Sequence, residues 1–252
     1  MKIIVDVMGG DNCPRAAVRG VCMAAEQWRA TYIMVGDRRQ IEQIANEEGL
    51  DIRRIDIVHT ESYMTMEDDP LSVVRAKSDS SMAVGLHLLS EGKGDAFVSC
   101  GNTGALFTGA TLIVRKVKGV LRAGIGTVLP FQNPVLLLDT GANVTVTPEN
   151  LEQFGVMGAA YMRKMYGIDE PRVGLLNNGT EACKGTELQQ TAYRLLSDNP
   201  EINFVGNVEA GTAPFGVCDV LVADGFTGNI YLKSVEGVGK FLLKRVKSVF
   251  LS

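Results

Sequence analysis

The chain has 252 residues, 46% of them hydrophobic and 21% charged, with a formal net charge of −4. This suits one large α/β domain or two small ones, and a pI near 5.3 argues against nucleic acid as the main ligand. Met1 to Asp6 reads as a first strand without the long apolar core and small-residue cleavage site of a signal peptide, and no run approaches roughly 20 apolar residues, so neither a leader nor a membrane-spanning helix is expected. Five cysteines without CxxC spacing support neither a disulfide framework nor a zinc site, so a reducing, cytoplasmic setting is expected.

Apolar runs alternate with amphipathic segments in chain order. Strands are predicted over 2–7, 31–36, 55–58, 95–99, 124–129, 134–139, 172–177, 203–205 and 219–223. Helices are predicted over 14–29, 38–49, 71–90, 104–117, 149–166, 186–197 and 229–250. The alternation predicts an α/β fold with a mostly parallel sheet flanked by helices. Runs 124–129 and 134–139 are separated only by Pro130-Phe131-Gln132-Asn133, too short for a crossover helix, so they predict an antiparallel hairpin insertion. The 133–148 region could hinge two lobes. With no Ser/Gly/Pro linker, residues 1–252 read as a single α/β domain.

Glycines and small polar residues gather after the strands. Five loops stand out: Met8-Gly9-Gly10-Asp11-Asn12, Ser99 to Ala105, Asp139-Thr140-Gly141-Ala142-Asn143, Asn177 to Gly185, and Asp224-Gly225-Phe226-Thr227-Gly228-Asn229. Ligands of parallel sheets bind at the carboxyl ends of strands, so these loops are expected to converge on one cleft. Asn102-Thr103-Gly104 opens a predicted helix, where free N–H groups favour an anion, although Asn102 or Thr103 could simply cap it. Lys184 is either a cation beside such an anion or a solvated lysine paired with Glu181 or Glu187. Asn229 is either a helix cap or an amide donor to a developing oxyanion. His59 and His87 read as structural or surface residues. Cys100 and Cys183 lack a histidine partner in their loops. Asp6, Asp11, Asp139 and Asp224 could ligate a metal, but strand-end aspartates more often accept backbone N–H bonds. Neither metal nor cofactor is expected.

In order, these loops resemble the phosphate acyltransferase family of bacterial phospholipid synthesis. The resemblance is carried by Asp6-Val7-Met8-Gly9-Gly10-Asp11, Ser99-Cys100-Gly101-Asn102-Thr103-Gly104-Ala105 and Leu138-Asp139-Thr140-Gly141-Ala142-Asn143. It continues through Lys184-Gly185-Thr186-Glu187-Leu188, Gly206-Asn207-Val208-Glu209 and Asp224-Gly225-Phe226-Thr227-Gly228-Asn229. It implies a fold similar to the isocitrate/isopropylmalate dehydrogenases. It also implies transfer of a fatty acyl group from acyl carrier protein to orthophosphate, giving acyl phosphate, by a homodimer at the inner membrane face. Three stretches depart from the family pattern: Asn12-Cys13-Pro14 replaces His-Ala-Pro, Gly179 to Cys183 replaces an acidic Gly-Glu-Glu segment, and Ala210 to Ala213 replaces an Arg-Asp pair. Family members continue for roughly 80 residues further, a small domain's worth, so the C-terminal part of the pattern is expected to be missing.

The resemblance implies that phosphate is its own nucleophile. Phosphate or substrate binding then falls to Gly9, Gly10, Asp11, Ser99, Gly101, Asn102, Thr103, Gly104, Asn143, Gly225, Thr227 and Gly228. Lys184 and Asn229 are the catalytic candidates, while Asp6, Asp139 and Asp224 order the loops behind them. Rival readings are a dehydrogenase of the isocitrate/isopropylmalate type and a non-catalytic acyl- or phosphate-binding module. The last helix, with Ile230, Leu232, Val235, Val238, Phe241, Leu242 and Val249 beside Lys240, Lys244, Arg245 and Lys247, is expected to form an interface with a symmetry mate or the missing segment. Anionic lipid is its weaker alternative partner. Exhaustive chelation should leave acyl-phosphate formation unchanged; loss restored by a divalent cation would refute a metal-free reaction.

Overall fold

The computed structural model describes residues 1–250, which fall into two compact units that divide between Lys118 and Gly119. Where the sequence reading treated 1–252 as one domain, each unit has its own sheet, and the boundary lies upstream of 133–148.

The first unit holds a parallel sheet ordered β3-β2-β1-β4, formed by β1 (Lys2–Asp6), β2 (Thr31–Gly36), β3 (Asp56–His59) and β4 (Ala96–Ser99). Alternation along β1 and β2 assigns its two faces. Val5, Tyr32 and Met34 pack with α1 (Arg15–Gln27) and α2 (Arg38–Glu48). Ile4, Ile33 and Val35 pack with α3 (Ser81–Ser90). The helix expected over 71–90 is broken. A 3-10 turn spans Pro70–Val74, and α3 starts only after Ser80, whose hydroxyl accepts from the Ala83 N–H. The Ser80 side chain caps a new helix there, and the polar run Ser78-Asp79-Ser80 interrupts the apolar periodicity. Similarly, the helix expected over 104–117 is α4 (Thr103–Gly109) followed by a π-helical turn, Ala110–Val114.

The second unit carries the order β5-β6-β9-β7-β8. Its strands are β5 (Gly126–Pro130), β6 (Pro134–Leu138), β7 (Arg172–Asn177), β8 (Asn203–Glu209) and β9 (Val220–Val222). The expected hairpin is present: β5 pairs antiparallel with β6, and all other pairings are parallel. One face packs Leu136, Leu138, Val173 and Val220 against α5 (Pro148–Tyr166) and α6 (Glu187–Asp198). The other packs Leu137 and Leu221 against the start of α7 (Gly225–Phe250) through Tyr231, Leu232 and Val235. Helix α7 begins four residues before the expected 229, because the Asp224 carboxylate accepts from the Thr227 N–H and so ends the chain's extended run earlier.

At the edge opposite the glycine loops, Arg172 donates from Nε and Nη2 to both oxygens of Asp219 (3.0 and 2.9 Å) and from Nη1 to the Gly216 carbonyl. Burial pushes the Asp219 carboxyl up, but its bonds from Arg172 outweigh that and leave it below the usual carboxylate range. A depressed acid contributes stability that is complete above its unfolded pKa, about 4, and is lost as pH falls through its folded value. Asp219→Asn should therefore cost roughly 2 kcal/mol at neutral pH, and the gap from the parent, measured by urea unfolding, should close as the pH falls below about 4.

Candidate functional site

In the first unit, the loops after the neighbouring strands β1 and β4 are tied together by Asp6. Its buried carboxylate accepts from the Met8 and Gly9 N–H groups (3.1 and 3.2 Å) and from the Ser99 hydroxyl (2.8 Å). Ser99 Oγ in turn accepts from the Gly101 N–H at 3.1 Å. The backbones nearly touch: a Cβ on Gly9 would lie 2.7 Å from the Asp6 carboxylate and 3.0 Å from Gly101 Cα. Gly10, at φ +113°, turns the chain over the Cys100 carbonyl. Asp11 is exposed at the rim of a cavity of about 660 Å³, which Gly10, Ser99 and Cys100 also line.

Asn102 resolves the capping alternative. Its Oδ1 accepts from the Ala105 N–H (3.0 Å), and Nδ2 donates to the carbonyls of Thr65, Met66 and Asp68. The side chain is thus committed to protein, pinning the 65–68 segment over the loop. Thr103, exposed, and Gly104 form the first turn of α4, the place where N–H groups are not consumed by the helix. Gly104 is held close to Pro70, whose Cγ would lie 2.9 Å from an added Cβ.

In the second unit, Asp139 is the organising residue. It is fully buried and accepts five hydrogen bonds: from the N–H groups of Ile125, Gly141, Ala142 and Asn143, and from Asn143 Nδ2. Asn143 also donates to the Ala123 carbonyl and accepts from Arg122, so its amide too is committed to protein. Helix α7 starts against this loop. Gly225 donates its N–H to the Asn143 carbonyl, and Gly228 lies directly on the Asp139 carbonyl oxygen. Asp224 caps α7, accepting from both the N–H and the hydroxyl of Thr227. The cap reading of Asn229 therefore falls. Asn229 is exposed one turn inside the helix, its side chain against Gly141 (Cγ 3.8 Å from an added Cβ).

Strand β7 lies beside β9, so the 177–185 loop shares this sheet edge with 139–143 and 224–229. It is clasped by amides: Asn177 and Gln190 donate to the carbonyls of Lys184 and Cys183, Asn207 donates to that of Glu181, and Asn178 accepts from Gly185. Lys184 is exposed, and its Nζ is 4.0 Å from Glu181, too long for a firm hydrogen bond. No hydrogen bond or ion pair among the described residues joins Lys184 to the other two loops of this unit. The five loops are thus divided, two on the first unit and three on the second. Sequence reasoning missed Arg122, which no motif marks, and Gln190, whose only signal is its place one turn beyond the loop.

A family profile described as fatty acid synthesis protein matches residues 1–252. A phosphate acyltransferase from Acetivibrio thermocellus is 47% identical over 253 residues, covering 100% of this chain and 74% of that protein. The chain belongs to the phosphate acyltransferase family. It is accordingly an acyltransferase, and the loop resemblance read from the sequence holds at the family level. The fold extends more widely. A phosphotransacetylase from Streptococcus pyogenes aligns with TM-score 0.72 at 19% identity, covering 95% of this chain and 82% of that one. A 4-hydroxythreonine-4-phosphate dehydrogenase from Burkholderia phymatum aligns with TM-score 0.57 at 19% identity, covering 93% and 83%. The expected likeness to dehydrogenase-type α/β folds is therefore present in this phosphate acyltransferase family member.

Two glycine substitutions test the packing. A Cβ at Gly225 would lie 2.8 Å from both N and O of Asn143, and backbone cannot swing aside. Gly225→Ala should cost about 2 kcal/mol by urea unfolding. Gly20→Ala, in α1 with nothing within 4 Å, should instead stabilise by about 0.5–1 kcal/mol.

Proposed function

We propose that this chain transfers a fatty acyl group from the thioester of acyl carrier protein to orthophosphate, producing an acyl phosphate for phospholipid synthesis. The observation that carries this reading is the pair of glycine loops closed on one another around Asp6, with the first turn of α4 beside them. Backbone amides at a helix start, reachable because glycine lacks a side chain, suit a tetrahedral oxyanion such as phosphate. Side chains of Asn102 and Ser99 shape that loop, leaving Gly9, Gly10, Asp11, Gly101, Thr103 and Gly104 as the groups assigned to the ligand.

Chemically, a phosphate oxygen attacks the thioester carbon and forms a C–O bond. The tetrahedral oxyanion collapses, the C–S bond breaks, and the carrier thiolate leaves and is protonated. Burial first, then Cys100 and the Asp6 carboxylate, push the Cys13 thiol up, so little of it is thiolate at neutral pH and it is not assigned the attack on the thioester. Asn229, standing over the Gly141 turn, is assigned to the developing oxyanion, with Gly225, Thr227, Gly228 and Asn143 setting its position. Lys184 is assigned to the phosphate charge.

Partners follow from α7. Val238, Phe241, Leu242, Val246, Val249 and Phe250 are exposed, beside Lys240, Lys244, Arg245 and Lys247. The reading assigns this face to a second copy in a homodimer, with peripheral contact to anionic membrane as the alternative and a cytoplasmic location; a monomer by light scattering would refute the dimer. No helix among the described residues is long and apolar enough to cross a membrane.

Kinetics separate the two catalytic assignments. Lys184→Ala should raise the KM for phosphate, because its charge meets phosphate before and during reaction. Asn229→Ala should lower kcat by roughly 100-fold with phosphate KM little changed, since its amide matters only as charge develops. Because Asp224 caps α7, Asn229→Ala should keep the parent's unfolding midpoint. Normal turnover in a folded Asn229→Ala enzyme would end the oxyanion assignment, and no acyl phosphate from the parent would end the proposed activity.

A further inference from the structure

Of the five cysteines, Cys22 and Cys218 are buried in the cores and Cys183 is exposed on the second unit. Cys13 and Cys100 differ from these. They come from different loops, after β1 and after β4, yet both line the 660 Å³ cavity of the first unit. Their loops are in contact. A Cβ on Gly10 would lie 3.1 Å from Cys100 Cβ and 3.0 Å from its carbonyl oxygen. Cys13 donates its N–H to the Gly10 carbonyl (3.2 Å) and its thiol to the Gly9 carbonyl (2.7 Å). Burial first, then the nearby Cys100 sulfur, raise the Cys13 thiol.

We propose that Cys13 and Cys100 form a reversible disulfide that staples the β1 loop to the β4 loop and weakens anion binding there. The second part rests on the phosphate reading above; the disulfide itself does not. Cys100 is exposed and meets the oxidant, a low-molecular-weight disulfide, first. Its thiolate attacks one sulfur of that disulfide, the S–S bond breaks, and one small thiol leaves. Cys13 then gives its proton to solvent and attacks the Cys100 sulfur of the mixed disulfide, releasing the second small thiol. Two protein thiols are oxidised and one small disulfide is reduced. Forming the bond removes the Cys13 thiol from the Gly9 carbonyl and locks Gly9 and Gly10 against Cys100 and Gly101, whose backbone lines the anion loop. The high Cys13 thiol makes the closing step base-dependent, so it should quicken as pH rises above neutral.

The test oxidises the purified protein with glutathione disulfide, blocks remaining thiols with iodoacetamide and maps peptides by mass spectrometry. Orthophosphate binding is titrated calorimetrically on the same samples. The expected result is a Cys13–Cys100 linked peptide that dithiothreitol removes, with orthophosphate affinity lower on the order of tenfold in the oxidised form and restored on reduction. Cys13→Ala should stop at glutathionylated Cys100, and Cys100→Ser should give neither product at this site. Parent protein that carries only glutathione on Cys100, or links either cysteine to Cys183, would overturn the pairing. A Cys13–Cys100 bond with unchanged orthophosphate affinity would overturn the blocking effect while sparing the proposed function. Reduced protein that does not bind orthophosphate would defeat both the blocking effect and the phosphate reading, and would leave the disulfide standing on its peptide.

Discussion

A carboxylate without water must draw its hydrogen bonds from the protein, and Asp139 draws five. An isolated buried charge of this kind is prohibitively unfavourable, while one wrapped by N–H donors fixes every donor it uses. Four of those donors are backbone groups, so the carboxylate dictates the path of residues 141–143 and anchors the base of the β5–β6 hairpin through Ile125. Its own main chain completes the arrangement, because the Asp139 carbonyl is the surface on which Gly228 rests.

The first unit repeats the device with fewer donors. Asp6 ends β1 as Asp139 follows β6, and each is followed by a glycine-containing turn that folds back onto the carboxylate. In both places two loops come closer than any side chain would permit, and the glycines mark where backbone meets backbone rather than where the chain needs to be flexible. The polar groups that bring the loops together are consumed in doing so. Ser99, Asn102, Asn143 and Thr227 spend their side chains on holding the frame.

Period-two alternation made most strands legible, and the four-residue connection 130–133 made the hairpin legible, because both depend on residues adjacent in sequence. The loops were legible for the same reason. What escaped the sequence was long-range. Nothing near Asn102 shows that its amide answers carbonyls 34 to 37 residues away, and nothing near Asp139 shows that Ile125 donates to it. The broken helix after Val74 and the early start of α7 were missed because short polar side chains, Ser80 and Asp224, outweighed the apolar periodicity around them. The division into two units was hidden because each sheet is covered by helices on both faces, which gives one uninterrupted alternation.

Helix α7 also has an electrical consequence. It spans 26 residues, close to 40 Å at helical rise, and carries Lys233, Lys240, Lys244, Arg245 and Lys247 against the single Glu236, in a chain whose net charge is −4. The remaining residues are therefore more acidic than the total suggests, and the helix is a local concentration of positive charge. Such a concentration acts before contact: it turns an approaching polyanion toward the helix, speeding productive encounters at low ionic strength. Over the roughly 8 Å screening length of physiological salt, only the last approach is guided.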